Sequence, residues 1–87
     1  MSQVDIYTKR FCPYCVLTKR LLEQKGVLYR EFDVSFDDSL RVEMLNRAQR
    51  QTVPQIFIGD THVGGNEELY ALERKGELNN LLAAEAA

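Results

Sequence analysis

Apolar and polar residues alternate along four short segments of the chain, which predicts four strands. These segments are residues 4–7, 28–34, 54–58 and 61–63. The pair Gly59-Asp60 lies between the last two segments and is typical of a tight hairpin turn. Between the other strands, apolar residues recur every three to four positions, and this spacing predicts helices.

Each predicted helix has a recognisable start. Pro13 suits the first position of a helix, where its missing N–H leaves no hydrogen bond unmade. Ser35 with Asp38 resembles a capping box for the second helix, and Asn66 is a candidate N-cap for the third. The apolar face predicted for the second helix consists of Leu40, Met44, Leu45 and Ala48. A last amphipathic segment covers residues 78–82, and the order β-α-β-α-β-β-α predicts an α/β fold with one sheet covered by helices on both faces.

Composition and charge narrow the class of protein. With 87 residues, of which 45% are hydrophobic and 28% charged, the chain has the size and composition of a single domain over residues 1–87. The net charge of −2 is divided unevenly, because residues 1–30 carry +4 and residues 31–87 carry −6. This weak asymmetry does not predict a nucleic-acid surface, although a basic first third suits an anionic small substrate. No apolar run reaches the roughly 18–20 residues of a membrane span, so we expect no membrane association. The first residues lack a signal peptide, and we expect a cytoplasmic location.

Cys12 and Cys15 are the only cysteines, and they lie where the first strand is predicted to pass into the first helix. Two cysteines at this spacing in this context indicate thiol–disulfide exchange. As an N-cap, Cys12 would face unpaired backbone N–H groups and the positive end of the helix, and both favour its thiolate. Lys9 and Arg10 would add positive charge. Cys15 lies one turn further on, close enough to attack a disulfide formed by Cys12.

Two other interpretations of the cysteine pair are weaker. A structural disulfide would close a four-residue loop, which contributes only about 2 kcal/mol, and cytoplasmic reductants would open it. A zinc site needs four ligands, and only His62 could join the cysteines as a strong one. His62 belongs to a predicted edge hairpin, where we expect it to face solvent without a catalytic or metal-binding role.

Four segments together resemble the glutaredoxins, and specifically the small bacterial dithiol type. They are Tyr7-Thr8-Lys9, Cys12-Pro13-Tyr14-Cys15, the segment from Thr52 to Ile58, and His62-Val63-Gly64-Gly65 with the acidic pair that follows. A lone pair of cysteines would be weak evidence, but these segments occur in order over nearly the whole chain. The resemblance implies a thioredoxin fold, in which a four-stranded mixed sheet is flanked by helices and the thiols lie at the head of the first helix.

The resemblance also implies a glutathione site. Val53-Pro54 looks like the family's cis-proline dipeptide, which would leave the Val53 backbone free to pair with the cysteine of glutathione. A basic residue at the position of Lys9 would meet the glycyl carboxylate. The γ-glutamyl end would meet the start of the last main helix, with Glu67 or Glu68 near its ammonium. The residues assigned to glutathione in this way are Lys9, Tyr14, Thr52, Val53, Pro54, Gly65, Asn66 and Glu67.

Three features depart from the family pattern. Many relatives carry aspartate where this chain has Glu67-Glu68, and many carry Cys, Tyr or Phe at the position of Asn66. Arg10-Phe11, directly before the first thiol, is also less usual. We expect Arg10-Phe11 to affect the choice of partner protein and to leave the chemistry unchanged.

The activity implied is that of a glutathione-dependent thiol–disulfide oxidoreductase. Cys12 would attack protein–glutathione mixed disulfides and protein disulfides, and Cys15 would resolve the latter by forming the redox-active Cys12–Cys15 disulfide. The resemblance implies no metal and no tightly bound cofactor, because glutathione serves as the co-substrate. It further implies a monomer whose partners are glutathionylated or disulfide-containing proteins such as ribonucleotide reductase.

Two alternatives come from related classes. A small redoxin that takes electrons from thioredoxin reductase to supply ribonucleotide reductase would lack the glutathione pattern seen in Thr52-Val53-Pro54 and in Gly64 to Glu67. A glutaredoxin that holds a [2Fe–2S] cluster between two subunits usually has Gly or Ser after the first cysteine. Here Pro13 restricts that loop.

Overall fold

The structure is a computed structural model that describes residues 2–84 of the chain. Its elements in chain order are β1 (Val4–Thr8), α1 (Pro13–Gln24), β2 (Arg30–Asp33), α2 (Asp38–Ala48), β3 (Gln55–Ile58), β4 (Thr61–Gly64), α3 (Asn66–Arg74) and α4 (Leu78–Ala83). The predicted order is confirmed, and the last amphipathic segment forms the short helix α4.

The four strands form one mixed sheet in the order β2-β1-β3-β4. β1 runs parallel to β2 and antiparallel to β3, and β4 pairs antiparallel with β3. Because β1 and β2 are parallel, their last residues, Thr8 and Asp33, lie side by side at one edge of the sheet. The loop that leads to Cys12 starts at this edge.

Helices cover both faces of the sheet, as predicted from the sequence. Alternate residues of each strand face opposite sides, and this divides the apolar residues into two clusters. The cluster under α1, α3 and α4 includes Val4, Ile6, Leu22, Ile56, Ile58, Leu69, Leu78 and Leu82. The cluster under α2 consists of Tyr7, Val34, Met44, Ala48 and Phe57.

The start of α2 differs from the prediction. Asp37 is its N-cap, and the carboxylate of Asp37 accepts a hydrogen bond from the Leu40 N–H at 3.0 Å. Ser35 does not cap the helix, because its hydroxyl accepts the Arg10 backbone N–H at 2.8 Å and so connects the two loops at the sheet edge. Leu45, predicted on the apolar face, is 39% exposed.

The N-cap of α3 lies one residue earlier than predicted. Gly65 is the N-cap, and its backbone N–H donates a hydrogen bond to the carboxylate of Glu68 at 2.7 Å. This hydrogen bond is one half of a capping box. It can form at a glycine N-cap, because the side chain that it needs belongs to Glu68, the third residue of the helix. Asn66 is the first residue of the helix, and its side chain accepts a hydrogen bond from the Thr18 hydroxyl at 2.9 Å. That bond attaches α3 to α1.

Asp5 is a buried carboxylate on the α2 side of the sheet. Arg30 donates two hydrogen bonds to it, at 2.8 and 3.0 Å, and Arg47 donates one at 3.2 Å. Burial alone would raise the pKa of Asp5, but the bonds from Arg30 and Arg47 outweigh burial and hold the pKa below its usual value. The ionised form is therefore favoured in the folded protein.

We expect Asp5→Asn to destabilise the protein by about 1–3 kcal/mol at neutral pH, because it weakens charge-assisted hydrogen bonds. The stability that ionised Asp5 contributes is present above about pH 4, the pKa of an unfolded aspartate, and is lost as the pH falls through the lower folded value. Urea unfolding of both proteins between neutral and acidic pH should therefore show the two stabilities converging in acid. Asp38→Asn is the matched control, since the Asp38 side chain is 97% exposed. A constant difference across this pH range would contradict the assignment.

Candidate active site

The two cysteines occupy the junction between the β1 loop and α1. Cys12 is the N-cap of α1 and Pro13 is its first residue, as predicted. The backbone N–H of Cys15 donates to the Cys12 Sγ at 3.1 Å, so the free amides of the first helical turn do face this sulfur. The structure joins Cys12 and Cys15 in a disulfide, with their Cα atoms 5.2 Å apart.

The two sulfurs differ in access. Cys12 is half-buried at the protein surface, whereas Cys15 is only 2% exposed. An incoming thiol or disulfide can therefore approach Cys12 and not Cys15. The geometry supports Cys12 as the attacking group and Cys15 as the resolving one.

The loop before β3 contains a cis peptide bond between Val53 and Pro54, and this loop shares a groove with Tyr14, which lies between the two cysteines in the sequence. The cis-proline expected from the resemblance is confirmed. Gln55, the next residue, is buried and donates to the Thr52 carbonyl at 3.0 Å and to the Thr52 hydroxyl at 3.2 Å. Within residues 2–84, the backbone hydrogen bonds of loops and turns include none made by Val53. Its N–H and C=O are available to a ligand.

The prediction that His62 faces solvent is wrong. Its ring is half-buried, stacks on Phe57 with ring centres 4.8 Å apart, and has its Nε2 2.7 Å from the Gln55 Oε1. The β3–β4 pairing places His62 directly across from Phe57 in the sheet. Burial and the nearby charge of Arg50 lower the pKa of His62 below its ordinary value. Its contact with Gln55 helps to hold the loop before β3.

The two acidic residues at the start of α3 differ in availability. The carboxylate of Glu68 is engaged by the Gly65 N–H and by Arg50 at 2.9 Å, and these bonds lower its pKa. Glu67 is exposed, and within the part of the chain that the structure describes its carboxylate makes no hydrogen bond or ion pair. Glu67 is therefore the acidic group that an incoming ammonium can reach.

These elements enclose an open groove of about 780 Å³. A Cβ placed on Gly65 would lie 3.3 Å from the Pro54 carbonyl oxygen, so the start of α3 packs closely against the cis-proline loop. The predicted residues that line the groove are Tyr14, Thr52, Val53, Pro54, Gly65, Asn66 and Glu67. Lys9 is exposed and does not line it.

Sequence reasoning missed several residues of this groove. They are Leu17, Arg50, Gln55, Tyr70 and Arg74, together with Glu68, which was considered only as an alternative to Glu67. Helical spacing contains part of the missing signal, since Leu17 follows Tyr14 by three positions and Tyr70 follows Asn66 by four. The Tyr70 hydroxyl donates to the Leu17 carbonyl at 3.2 Å and closes the groove between α1 and α3.

The groove is suited to a short peptide that carries charges of both signs. It offers a carboxylate at Glu67, guanidinium groups at Arg50 and Arg74, and an unpaired strand-like backbone segment at Val53. Residues 2–84 contain no group of three or more His, Cys, Asp or Glu that could hold a metal ion. None of the described helices is both long and apolar enough to span a bilayer.

A family model and known protein sequences are similar to this chain. The glutaredoxin family model matches residues 4–63. A glutaredoxin of Pseudomonas aeruginosa is 50% identical over 84 residues, which cover 97% of this chain and 100% of that protein. Glutaredoxin 3 of Escherichia coli is 49% identical over 82 residues, which cover 94% of this chain and 99% of that protein.

Solved structures agree with the sequence relatives. The solution structure of a glutaredoxin from Brucella melitensis is 52% identical, with a TM-score of 0.82 over 94% of this chain and 89% of that one. The crystal structure of a buckwheat glutaredoxin–glutathione complex is 28% identical, with a TM-score of 0.84 over 93% of this chain and 76% of that one.

Proposed function

The chain belongs to the glutaredoxin family, and from this premise we propose that it is a glutathione-dependent thiol–disulfide oxidoreductase. One observation carries the proposal. Cys12, the more accessible of the two cysteines, caps α1 two residues before Tyr14, which lines a groove whose wall is the cis-proline loop and whose end is the start of α3. This arrangement suits a thiolate that receives a glutathionyl group from one side.

The first proposed reaction is removal of glutathione from a modified protein. The Cys12 thiolate attacks the glutathione sulfur, a Cys12–glutathione disulfide forms, and the substrate's own disulfide bond breaks. The substrate leaves as a thiolate and takes up a proton. A second glutathione thiolate then attacks the glutathionyl sulfur, which releases oxidised glutathione and returns Cys12 as a thiolate.

The second proposed reaction is reduction of a protein disulfide. Cys12 attacks one sulfur and forms a mixed disulfide with the protein, and the Cys15 thiolate then attacks Cys12. The protein leaves as a dithiol and the Cys12–Cys15 disulfide remains. Two molecules of glutathione reduce this disulfide and become oxidised glutathione, so the two electrons balance.

Within the groove, the cysteine of glutathione pairs with the Val53 backbone in the manner of an added strand. The γ-glutamyl carboxylate accepts hydrogen bonds from the backbone N–H groups of Asn66 and Glu67 in the first turn of α3. The Glu67 side chain pairs with the γ-glutamyl ammonium. The Tyr14 ring forms a wall of the groove, and Thr52 and Pro54 complete its floor. The glycyl carboxylate pairs with Lys9, whose side chain is exposed and lies outside the groove lining.

Trapping the intermediate tests the proposal. Cys15→Ser protein is mixed with a glutathionylated peptide, quenched with acid and analysed by mass spectrometry. We expect the mass of one glutathionyl group on Cys12 and the peptide released as a free thiol. Peptide attached to Cys12, with glutathione released, would contradict attack on the glutathione sulfur.

We expect Glu67→Gln to raise the KM for glutathione about fivefold, which corresponds to loss of an exposed charge pair worth about 1 kcal/mol. The matched control is Glu77→Gln, since Glu77 is exposed and makes no capping bond at the start of α4. Steady-state rates at varied glutathione measure both variants. An identical KM in the two would exclude Glu67 from the binding site.

Location, oligomeric state and substrates belong to the proposed function as well. The protein acts in the cytoplasm, where glutathione keeps thiols reduced. It works as a monomer without a tightly bound cofactor. Its protein substrates carry a glutathionylated cysteine or a disulfide, and ribonucleotide reductase is one candidate.

A further inference from the structure

Two large aromatic side chains are exposed near the cysteines on loops outside the groove. Phe11 directly precedes Cys12 and is 100% exposed, and Phe36 is 83% exposed. Phe11 also has a φ of 55°, a left-handed conformation that is uncommon for a bulky residue. Exposed apolar residues next to a reactive group point to contact with a partner.

Hydrogen bonds connect the loops that carry these rings. The Arg10 N–H donates to the Ser35 hydroxyl at 2.8 Å, and the Val34 N–H donates to the Thr8 carbonyl at 2.9 Å. The Arg10 guanidinium carbon lies 4.9 Å from the centre of the Phe36 ring, in a cation–π contact. Arg10, Phe11 and Phe36 therefore belong to one supported surface, which we call the β2-side surface.

The β2-side surface and the groove lie on opposite sides of Cys12. The loops of this surface follow β1 and β2, whereas the groove is built from residues that precede β3 and follow β4. In the sheet order β2-β1-β3-β4, the cysteine loop leaves from β1, between these two regions. A disulfide substrate whose glutathione half fills the groove can therefore direct its other half toward β2.

The charges of the β2-side surface favour an acidic partner. Across residues 2–84, the ion pairs include none made by Arg10, and its stacked guanidinium keeps N–H groups for other acceptors. The neighbouring Asp33 accepts the Ser35 N–H at 2.8 Å and Asp37 caps α2. Hydrogen bonds from Ser35 and, to a lesser extent, the charge of Arg10 lower the pKa of Asp33, but within residues 2–84 neither acid forms an ion pair with Arg10. The Arg10 guanidinium can therefore still donate hydrogen bonds to a carboxylate of an incoming polypeptide.

We propose that Arg10, Phe11 and Phe36 form a docking surface for the polypeptide half of a glutathionylated substrate. The favoured substrate carries an apolar side chain and a carboxylate beside its modified cysteine. The proposal rests on the proposed function, because it requires glutathione to occupy the groove. It assigns substrate choice to the side of Cys12 that glutathione does not use.

Kinetics with two substrates test the docking surface. One is a glutathionylated peptide with Leu and Asp beside the cysteine, and the other is the mixed disulfide of glutathione and 2-mercaptoethanol. The double variant carries Phe36→Ser and Phe11→Asn, since asparagine tolerates the left-handed conformation. We expect kcat/KM to fall about tenfold for the peptide, as for loss of interface hot spots, and to stay unchanged for the small disulfide. Leu28→Ser is the control, because Leu28 is 92% exposed before β2, at the other end of that strand.

Charge reversal provides a second arm. Arg10→Glu should lower kcat/KM for the Asp-containing peptide and raise it for a peptide with Lys in that place. Equal losses on the peptide and the small disulfide, or no loss on either, would overturn the docking surface. A self-association of the wild type that disappears in the double variant during sedimentation would assign the surface to a second copy instead. Failure of the wild type to turn over the small disulfide with glutathione would instead refute the proposed function.

Discussion

Cys12→Ser is expected to lower the rate of glutathione-mixed-disulfide reduction by roughly three orders of magnitude or more, to the level of the reaction without protein. A serine hydroxyl at this position is not ionised at neutral pH. It cannot attack a disulfide sulfur to form a mixed disulfide. The groove is left intact, because Cys12 contributes no side chain to its lining. The loss should therefore appear in kcat, while binding of glutathione is retained.

The measurement is oxidation of NADPH coupled through glutathione reductase, with the mixed disulfide of glutathione and 2-mercaptoethanol as substrate. Circular dichroism and urea unfolding of the reduced proteins show whether the variant is folded. Activity above one tenth of the wild-type rate in a folded Cys12→Ser protein would refute Cys12 as the nucleophile.

Cys15→Ser is expected to separate the two reactions. Reduction of glutathione mixed disulfides needs only Cys12 and should continue at a rate similar to that of the wild type. Reduction of a protein disulfide should fall by about two orders of magnitude, because an intramolecular thiol acts at a very high effective concentration that free glutathione cannot match. The Cα–Cα distance of 5.2 Å between the cysteines provides this proximity.

The second reaction is measured as the reduction of insulin disulfides, which is followed by turbidity. In Cys15→Ser the covalent complex between Cys12 and the substrate should accumulate on a non-reducing gel, and Cys12→Ser should form none. Unchanged insulin reduction by Cys15→Ser would show that glutathione itself resolves the complex. Equal loss of both reactions would indicate that Cys15 supports the site rather than resolving a disulfide.

Local patterns predicted the parts of the fold that depend on neighbouring residues. Alternation in β1 separates Val4 and Ile6 from Tyr7, and the structure places them on opposite faces of the sheet. Pro13 directly after Cys12 predicted the start of α1. Capping by Cys12 and the preference of proline for the first helical position both act within one helical turn. Choosing the cap of α2 required tertiary information, since Ser35 and Asp37 are equally good caps and only the bond from Arg10 decides between them.

The candidate site was predictable where a motif is contiguous in sequence. Tyr14, the cis-proline loop and the start of α3 were named from such motifs, and all line the groove. Arg50, Tyr70 and Arg74 reach it from separate segments, so no single motif contains them. Glu68 looked equivalent to Glu67 in the sequence, and only its bonds to Gly65 and Arg50 show that it is already engaged.

The choice of electron donor tests the central claim most directly. The oxidised wild-type protein is supplied with glutathione and glutathione reductase in one run and with thioredoxin reductase in another, at equal NADPH, and the rate of mixed-disulfide reduction is followed in both. If the groove binds glutathione as proposed, the protein turns over in the first run, and the rate saturates with glutathione. In the second run, with thioredoxin reductase, the rate does not exceed background. Turnover with thioredoxin reductase alone would contradict the account and would remove Lys9, Asn66 and Glu67 from their proposed roles.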